Sequence, residues 1–261
     1  MSKPWAVITG ASSGIGKALA FEFAARGYPL FLTSRAEQAL QTVAAECARR
    51  HRCEVRTHAA DLGDAAQTDG LVLALAAADL EYGVLVNNAG FGVKGKFADT
   101  DLAAELDLTH VQLDAMLKLT KALLPGMIHR RDGLILNIAS VYSFAPVPQQ
   151  AVYGACKAFL LSFSAALGEE IRGTGVTVTT VCPGVTRTEF RARAGIVEKN
   201  TAAGSTPEAV ARMAADQALD GSALAVPDLV NKIFVFVARR LPFVLVPRIV
   251  NFINNRRGVN Y

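Results

Sequence analysis

Three polar residues occur at a spacing that would let them transfer a proton: Ser140, Tyr153 and Lys157. Tyr153 and Lys157 are four residues apart, so on a helix they lie on one face. An unperturbed phenol loses its proton near pH ~10, and a nearby ammonium group favours the phenolate. Ser140 follows an apolar run and adds a hydroxyl donor. The same residues also occur on solvated helices, so the interpretation depends on whether the preceding chain builds a nucleotide site.

The chain begins with the pattern of a strand, a glycine turn and a helix. Residues 6–9 form a short, largely apolar run, a turn extends to residue 16, and an amphipathic pattern continues to about residue 26. In this order, glycines let backbone N–H groups approach a diphosphate, and the helix N-terminus adds partial positive charge. The sequence therefore predicts a nucleotide site here rather than a plain turn. The predicted contacts are Gly10, Ser12, Ser13, Gly14, Ile15 and Gly16.

The end of the second predicted strand indicates which dinucleotide binds. Residues 30–33 are followed by Ser34 and Arg35, with no acid at the strand end. An acid at this place binds a ribose 2′-hydroxyl, whereas an arginine accommodates a 2′-phosphate. Arg35 therefore predicts NADP(H) rather than NAD. The alternative is that Arg35 extends from a loop into solvent.

Strands and helices alternate along the rest of the chain. Further strands are predicted at residues 54–58, 84–86, 134–139, 176–181 and 223–226, and a long helix at 102–127 that ends near Pro125. This alternation predicts an α/β fold with a doubly wound parallel sheet of about seven strands in three α/β/α layers. Ligands bind such sheets beyond the carboxyl ends of the strands, where the polar segments fall. Asp61, after the third strand, is either a helix cap or a contact to adenine.

Composition limits the remaining classes of function. The 261 residues are 51% hydrophobic and 19% charged without a low-complexity linker, which predicts one domain over residues 1–261. The four cysteines have no metal-ligand spacing, so reduced thiols, a cytoplasmic location and no metal site are expected. No signal peptide is predicted. No basic patch with interleaved aromatics predicts nucleic-acid binding.

Taken together, five motifs resemble the short-chain dehydrogenase/reductase family over residues 5 to about 226. They are Thr9-Gly10-x-x-x-Gly14-Ile15-Gly16, Asn87-Asn88-Ala89-Gly90, Ser140, Tyr153-x-x-x-Lys157 and Pro183-Gly184. The resemblance implies a Rossmann-type fold and hydride transfer between NADP(H) and a carbonyl or alcohol. It implies that Tyr153 exchanges the proton, Lys157 lowers the tyrosine pKa and binds the nicotinamide ribose, and Ser140 holds the substrate oxygen.

The resemblance also implies the remaining cofactor contacts and one departure from the family pattern. Besides the glycine turn, Arg35, Tyr153 and Lys157, the implied contacts are Asp61, Leu62, Asn88, Ala89, Gly90, Pro183, Gly184, Val185, Thr186 and Thr188. Gln112 stands where the family usually has a catalytic Asn, which holds a water behind the lysine. We include Gln112 among the catalytic candidates, with the geometry of that proton relay left open.

The resemblance favours a lipophilic small-molecule substrate, namely a ketone, a steroid or a fatty-acyl derivative. Phe91, Phe144, Val147 and Phe190 are expected around the pocket opening. The alternative is a non-catalytic NADP-binding regulator on the same fold. The intact Ser140, Tyr153 and Lys157 favour the enzyme, since a regulator need not keep all three. By analogy with the family, a homodimer or homotetramer is expected.

The net charge of +4 is concentrated in a C-terminal tail, residues 227–261. This tail holds six Lys or Arg and one Asp, or +5, whereas the other residues sum to −1. Its apolar runs are shorter than the ~18 residues that span a bilayer, and Pro242 and Pro247 interrupt them. A basic amphipathic tail packs on its own core, on a second subunit or on an anionic membrane surface. Packing on the core is the favoured interpretation.

Overall fold

A computed structural model describes residues 3–195 and 204–256 of the chain. The strands are Trp5–Thr9 (β1), Leu30–Ser34 (β2), Val55–Ala59 (β3), Tyr82–Asn87 (β4), Gly133–Ile138 (β5), Val176–Val181 (β6) and Leu224–Ala225 (β7). All seven pair in parallel, in the order β3-β2-β1-β4-β5-β6-β7. The strand order reverses between β1 and β4, which opens a crevice at their carboxyl ends. The predicted doubly wound α/β sheet is confirmed.

Helices cover both faces of the sheet. They are Gly14–Ala25 (α1), Glu37–His51 (α2), Ala65–Ala77 (α3), Leu102–Thr109 (α4), Ala115–Arg130 (α5), Ala151–Glu170 (α6), Phe190–Arg193 (α7), Pro207–Leu219 (α8), Leu229–Ala238 (α9) and Val246–Arg256 (α10). A π-helical turn, His110–Asp114, joins α4 to α5, and a 3₁₀ turn, Val141–Phe144, precedes α6. Helix α8 lies in a stretch for which the sequence predicts no element.

The two sides of the sheet carry separate cores because alternate strand residues point to opposite faces. On β1, Ile8 packs with Leu19 and other residues of the α1 side. The adjacent Val7 packs with Leu71 of α3 and Leu119 of α5. The whole of β1 is buried, as expected for a central parallel strand.

The predicted long helix at residues 102–127 is correct in position but wrong at its end. Pro125 lies inside α5, which continues to Arg130, and Arg131 then adopts a left-handed φ of 58°. A proline removes one backbone hydrogen bond from a helix. The burial of Leu123 and Met127 on either side supports continuation through it.

The tail forms two helices, and part of it packs on the core as the sequence favours. Ala238, Val246 and Val250 bury their side chains against Ala145 and Val147, next to the 3₁₀ turn. Residues 257–261 of the predicted tail lie outside the described residues.

Among the described residues, α6 is the one helix long and apolar enough to cross a membrane by length and composition. Helices inside folded domains meet the same criteria. Helix α6 packs against β6 and the 3₁₀ turn, and it carries the buried Lys157.

Candidate active site

The turn between β1 and α1 brings backbone close to the crevice. Gly10 and Gly14 have φ values of +65° and +55°, in the left-handed region that glycine tolerates. Ser13 precedes α1 without a side-chain capping bond, which leaves the first N–H groups of the helix to a ligand. A Cβ at Gly16 would lie 2.2 Å from the Gly10 carbonyl oxygen. Gly16 therefore lets the helix pack beneath the turn.

Side-chain amides of two consecutive asparagines link the strand ends. The Asn88 Nδ2 donates to the Thr9 carbonyl oxygen at 2.9 Å, and the Thr9 Oγ1 accepts from the Asn88 and Ala89 N–H groups, each at 3.0 Å. On the other side, the Asn87 Nδ2 donates to the Asn137 Oδ1 at 2.8 Å. These bonds fix the ends of β1, β4 and β5 relative to one another.

Arg35 extends from the end of β2 with most of its side chain exposed. Its Nη1 lies 4.0 Å from the Asp61 Oδ2. Asp61 does not cap α3, because Asp64 accepts from the Ala66 and Gln67 N–H groups at the start of that helix. Asp61 lines the cavity, and its contact to adenine stays a prediction.

Ser140, Tyr153 and Lys157 meet at the end of β5. The Ser140 Oγ accepts from the Tyr142 N–H at 3.2 Å, and the phenol of Tyr153 is hydrogen-bonded to Ser140. The Lys157 Nζ donates to the Ile138 carbonyl oxygen at 2.9 Å and lies 5.7 Å from the centre of the Tyr153 ring. All three side chains are buried.

Burial changes the acidity of both titratable groups. Loss of hydration raises the pKa of the Tyr153 phenol well above its ordinary value, and the hydrogen bond with Ser140 partly offsets this. Burial lowers the pKa of Lys157 from 10.5 to about 8. The sequence alone predicts a lower tyrosine pKa beside the lysine, whereas in this structure desolvation is the larger effect on the tyrosine.

A cavity of about 650 Å³ unites these groups. It is lined by every predicted cofactor and catalytic residue except Gly16 and Gln112. The lining set predicted from sequence is Gly10, Ser12, Ser13, Gly14, Ile15, Arg35, Asp61, Leu62, Asn88, Ala89, Gly90, Ser140, Tyr153, Lys157, Pro183, Gly184, Val185, Thr186 and Thr188. Residues from the ends of six strands are thereby brought to one site.

Gln112, a catalytic candidate, and Gly16, a predicted cofactor contact, lie outside the cavity lining. Gln112 is buried in the π-helical turn, where its Nε2 donates to the Phe91 carbonyl oxygen at 3.1 Å. A Cβ at Gly90 would lie 3.3 Å from the Gln112 Cδ and Cγ. Gln112 therefore holds the loop after β4 through its hydrogen bond to Phe91. Gly16 lets α1 pack against the glycine turn.

The apolar part of the cavity differs from the prediction. Phe91 and Phe190 line it, as expected, and the Phe190 ring lies 5.6 Å from that of Tyr153. Phe144 and Val147 do not, because Phe144 packs beside Ala139 and Val147 is buried under the tail.

The tail contributes cavity residues that sequence reasoning missed. Val230, Asn231 and Phe234 of α9 and Val250, Ile253 and Asn254 of α10 line it. The only signal in the sequence is that α9 has apolar residues on more than one face, so that one set can pack inward while another stays exposed.

The residues present fit a dinucleotide with a 2′-phosphate. The Gly16 position has no room for a side chain, the α1 N-terminus has donors to offer, and Arg35 supplies a cation at the edge. Among the described residues, no group of three or more His, Cys, Asp or Glu could hold a metal ion.

A family model described as short chain dehydrogenase matches residues 4–198. The chain belongs to the short-chain dehydrogenase family. This confirms the resemblance that the five motifs indicate.

One curated relative of this short-chain dehydrogenase covers about two thirds of the chain. The very-long-chain 3-oxoacyl-CoA reductase of Laccaria bicolor is 38% identical over 176 residues, which is 67% of this chain and 52% of that protein. The chain thus spans about half the length of that curated relative.

Two solved structures match almost the whole chain. A short-chain dehydrogenase from Sphingobium yanoikuyae in complex with NADPH is 30% identical with a TM-score of 0.82, covering 98% of this chain and 95% of the other. A bulky-bulky ketone specific alcohol dehydrogenase from Comamonas testosteroni is 26% identical with a TM-score of 0.78, covering 99% and 94%.

Proposed function

We propose that the chain is an NADP(H)-dependent oxidoreductase acting on a lipophilic carbonyl or alcohol, with fatty 3-oxoacyl derivatives as the favoured substrate class. The observation that carries the proposal is the meeting of Ser140, Tyr153 and Lys157 in one cavity with apolar walls. The cofactor assignment rests on Arg35 and on the NADPH-bound relative. The acyl class is supported by the 3-oxoacyl-CoA reductase relative.

In the reductive direction, bound NADPH supplies a hydride to the carbonyl carbon of the substrate. The Tyr153 O–H donates a proton to the carbonyl oxygen as negative charge develops there. The Ser140 hydroxyl donates a hydrogen bond to the same oxygen, which holds the substrate in line with the phenol. Lys157, with a pKa of about 8, keeps its positive charge near neutral pH and stabilises the phenolate left behind.

The walls of the cavity favour substrates with an extended apolar part. Phe91 and Phe190 pack in the cluster of Tyr153, and Phe234 and Val250 of the tail also line the cavity. Burying apolar substrate surface against such side chains contributes roughly 25 cal/mol per Å². Bulky ketones are the second candidate class, favoured by the likeness to the bulky-ketone alcohol dehydrogenase.

The test begins with titration of the purified chain with NADPH and NADH. NADPH oxidation is then followed with 3-oxoacyl thioesters of increasing chain length and with bulky ketones. We expect tighter binding of NADPH and a rate that rises with acyl length.

Tyr153→Phe is the matched catalytic variant. We expect turnover to fall by about 10²–10⁴-fold, because the proton donor is lost, with NADPH affinity nearly unchanged. Full activity in this variant would contradict the assignment. Binding without turnover on the whole panel would favour the regulator instead.

Two further predictions stay proposals. We propose a cytoplasmic setting, supported by four cysteines that are all free thiols. We also propose a homo-oligomer, supported by family analogy alone.

A further inference from the structure

One surface of the tail exposes an unusual number of large apolar side chains. Leu229, Ile233, Phe236 and Val237 follow the spacing that puts residues on one helical face of α9, and Phe243 and Val244 continue from it in the loop to α10. We name these six residues the outer tail face. Phe243 and Val244 are 75% and 72% exposed. Single exposed apolar residues are ordinary, whereas a set grouped on one element indicates an interaction surface.

The opposite side of α9, which we call its inner side, packs against the rest of the protein. Val235 and Ala238 are buried, and Phe234 packs with the cluster beside the 3₁₀ turn. The position of α9 is therefore fixed by its inner side. The outer tail face is not needed for that packing.

Positive charge borders the outer tail face. Lys232, Arg239 and Arg240 line a groove beside Phe236, and the Arg240 guanidinium lies 3.6 Å from the centre of the Phe236 ring. Residues 229–261 hold six Lys or Arg and no Asp or Glu, while residues 1–226 sum to −1. Lys232, Arg239 and Arg240 thus place part of this positive charge next to the exposed apolar surface.

We propose that the outer tail face binds the surface of membranes that contain anionic lipid. Its apolar side chains enter the boundary between headgroups and acyl chains, and Lys232, Arg239 and Arg240 contact the lipid phosphates. Helices α9 and α10 have 10 and 11 residues, so they lie along the surface rather than span it.

Charge favours this occupant over a second copy of the chain. A symmetric dimer through this surface would bring the same cations from both copies together, with no acid in residues 229–261 to pair with them. An anionic lipid surface provides both the apolar phase and the opposite charge.

Val230 connects this surface with the cavity. It is 69% exposed on α9 and also lines the cavity. A lipophilic substrate dissolved in the membrane would enter the cavity past Val230; this route rests on the proposed reductase function. Membrane binding itself does not depend on that function.

The first experiment uses Phe243→Trp in the full chain as a fluorescent reporter. The only native tryptophan, Trp5, is buried in the core, so the new signal comes from the loop. Vesicles of phosphatidylcholine with 30% phosphatidylglycerol should shift the emission to shorter wavelength and should sediment with the protein. Vesicles of phosphatidylcholine alone should bind at least about tenfold more weakly.

Two paired variants separate the apolar and charged contributions. Phe243→Ser with Val244→Ser, and Arg239→Glu with Arg240→Glu, should each weaken vesicle binding by about tenfold or more. Leu73→Ser on α3, at a site 70% exposed, and Arg172→Glu are the matched controls and should bind as the unchanged chain does. NADPH affinity serves as the check that each variant is folded.

Three results would overturn the proposal. They are no binding to anionic vesicles, equal binding by the variants and the unchanged chain, or a dimer that the Phe243→Ser and Val244→Ser pair dissociates while vesicles stay unbound. Vesicle binding is measured without substrate, so its failure would leave the reductase proposal standing. If the unchanged chain turned over none of the panel substrates without vesicles, only the reductase proposal would be contradicted.

Discussion

Helix α9 rests directly on the backbone of Gly184. A Cβ at that position would lie 2.3 Å from the Nδ2 and Oδ1 atoms of Asn231. The Asn231 amide also donates to the Asp228 Oδ2 at 2.7 Å, at the start of α9. This contact joins the loop that follows β6 to the tail that lines the cavity.

Gly184→Ala should destabilise the protein by about 1–3 kcal/mol, because the added methyl group displaces Asn231. Position 184 does not have the left-handed φ that would strain an alanine, so crowding is the expected cause. The double variant Gly184→Ala with Asn231→Ala should recover most of the lost free energy of unfolding, measured by chemical denaturation. Gly70→Ala, with nothing within 4 Å of its added Cβ, is the control and should be neutral or stabilising. If the double variant were destabilised by the sum of the two single losses, the two residues would not be in contact.

Phe234→Ala should raise KM for a lipophilic substrate by about tenfold, because it removes an apolar wall of the cavity. NADPH affinity should change little. Phe236→Ala, two residues along and exposed on the opposite side of α9, is the matched control. The measurement is steady-state kinetics without vesicles. Equal effects of the two variants would mean that α9 does not contribute to the substrate site through its inner side.

Arg35→Asp should lower NADPH affinity by about 10- to 100-fold and shift preference toward NADH. The change removes a charge-assisted bond to the 2′-phosphate and places two acids side by side, since Asp61 lies 4.0 Å from Arg35. Titration with both cofactors measures the ratio. Arg172→Asp, at an exposed site on the opposite edge of the sheet, should leave it unchanged. An unaltered ratio in Arg35→Asp would mean that other residues recognise the phosphate.

Lys157 should make the stability of the cofactor-free protein depend on pH. Its pKa is about 8 when folded and 10.5 in the unfolded chain, so the unfolded chain binds more protons between these values. The free energy of unfolding should therefore rise with pH from about 8 to 10.5, by on the order of 3 kcal/mol in full. Below pH 8 the buried Lys157 ammonium is charged, and its loss of hydration lowers the free energy of unfolding by the full amount.

Lys157→Met isolates this effect, since it removes the titrating group. Urea unfolding at pH 7, 8, 9 and 10 should show the unchanged protein gaining stability relative to Lys157→Met. The pKa values of the Cys47 and Cys53 thiols do not depend on Lys157, so their titrations cancel in the difference. Lys157 lowers the pKa values of Cys156 and Cys182, so the change in these two thiols belongs to the effect measured. A difference that does not vary with pH would mean that Lys157 keeps an ordinary pKa.

The residues at the strand ends were predictable because their signals are local. A glycine turn between a strand and a helix, Asn88 after a strand and Ser140 after another each occupy the carboxyl end of a parallel strand. Parallel pairing then brings those ends to one edge of the sheet without further information. Their meeting in one cavity follows from the fold class alone.

Gln112 and Pro125 were harder because their conformations depend on surroundings distant in sequence. The π-helical turn turns the Gln112 amide to the Phe91 carbonyl, which no spacing rule for an α-helix predicts. Pro125 remains inside α5 because neighbouring side chains are buried against the sheet. Packing decided both outcomes.

The sequence by itself determined the order of the strands along the chain, the parallel sheet, the family, and the dinucleotide site with Ser140, Tyr153 and Lys157 beside it. Only the tertiary structure decided how the tail is used. Because α9 is apolar on several sides, its sequence does not show which side is buried. The burial of Val235 and Ala238 and the contact of Asn231 with Gly184 define the inner side. Phe234 lines the cavity on that side, and Phe236 is exposed on the other.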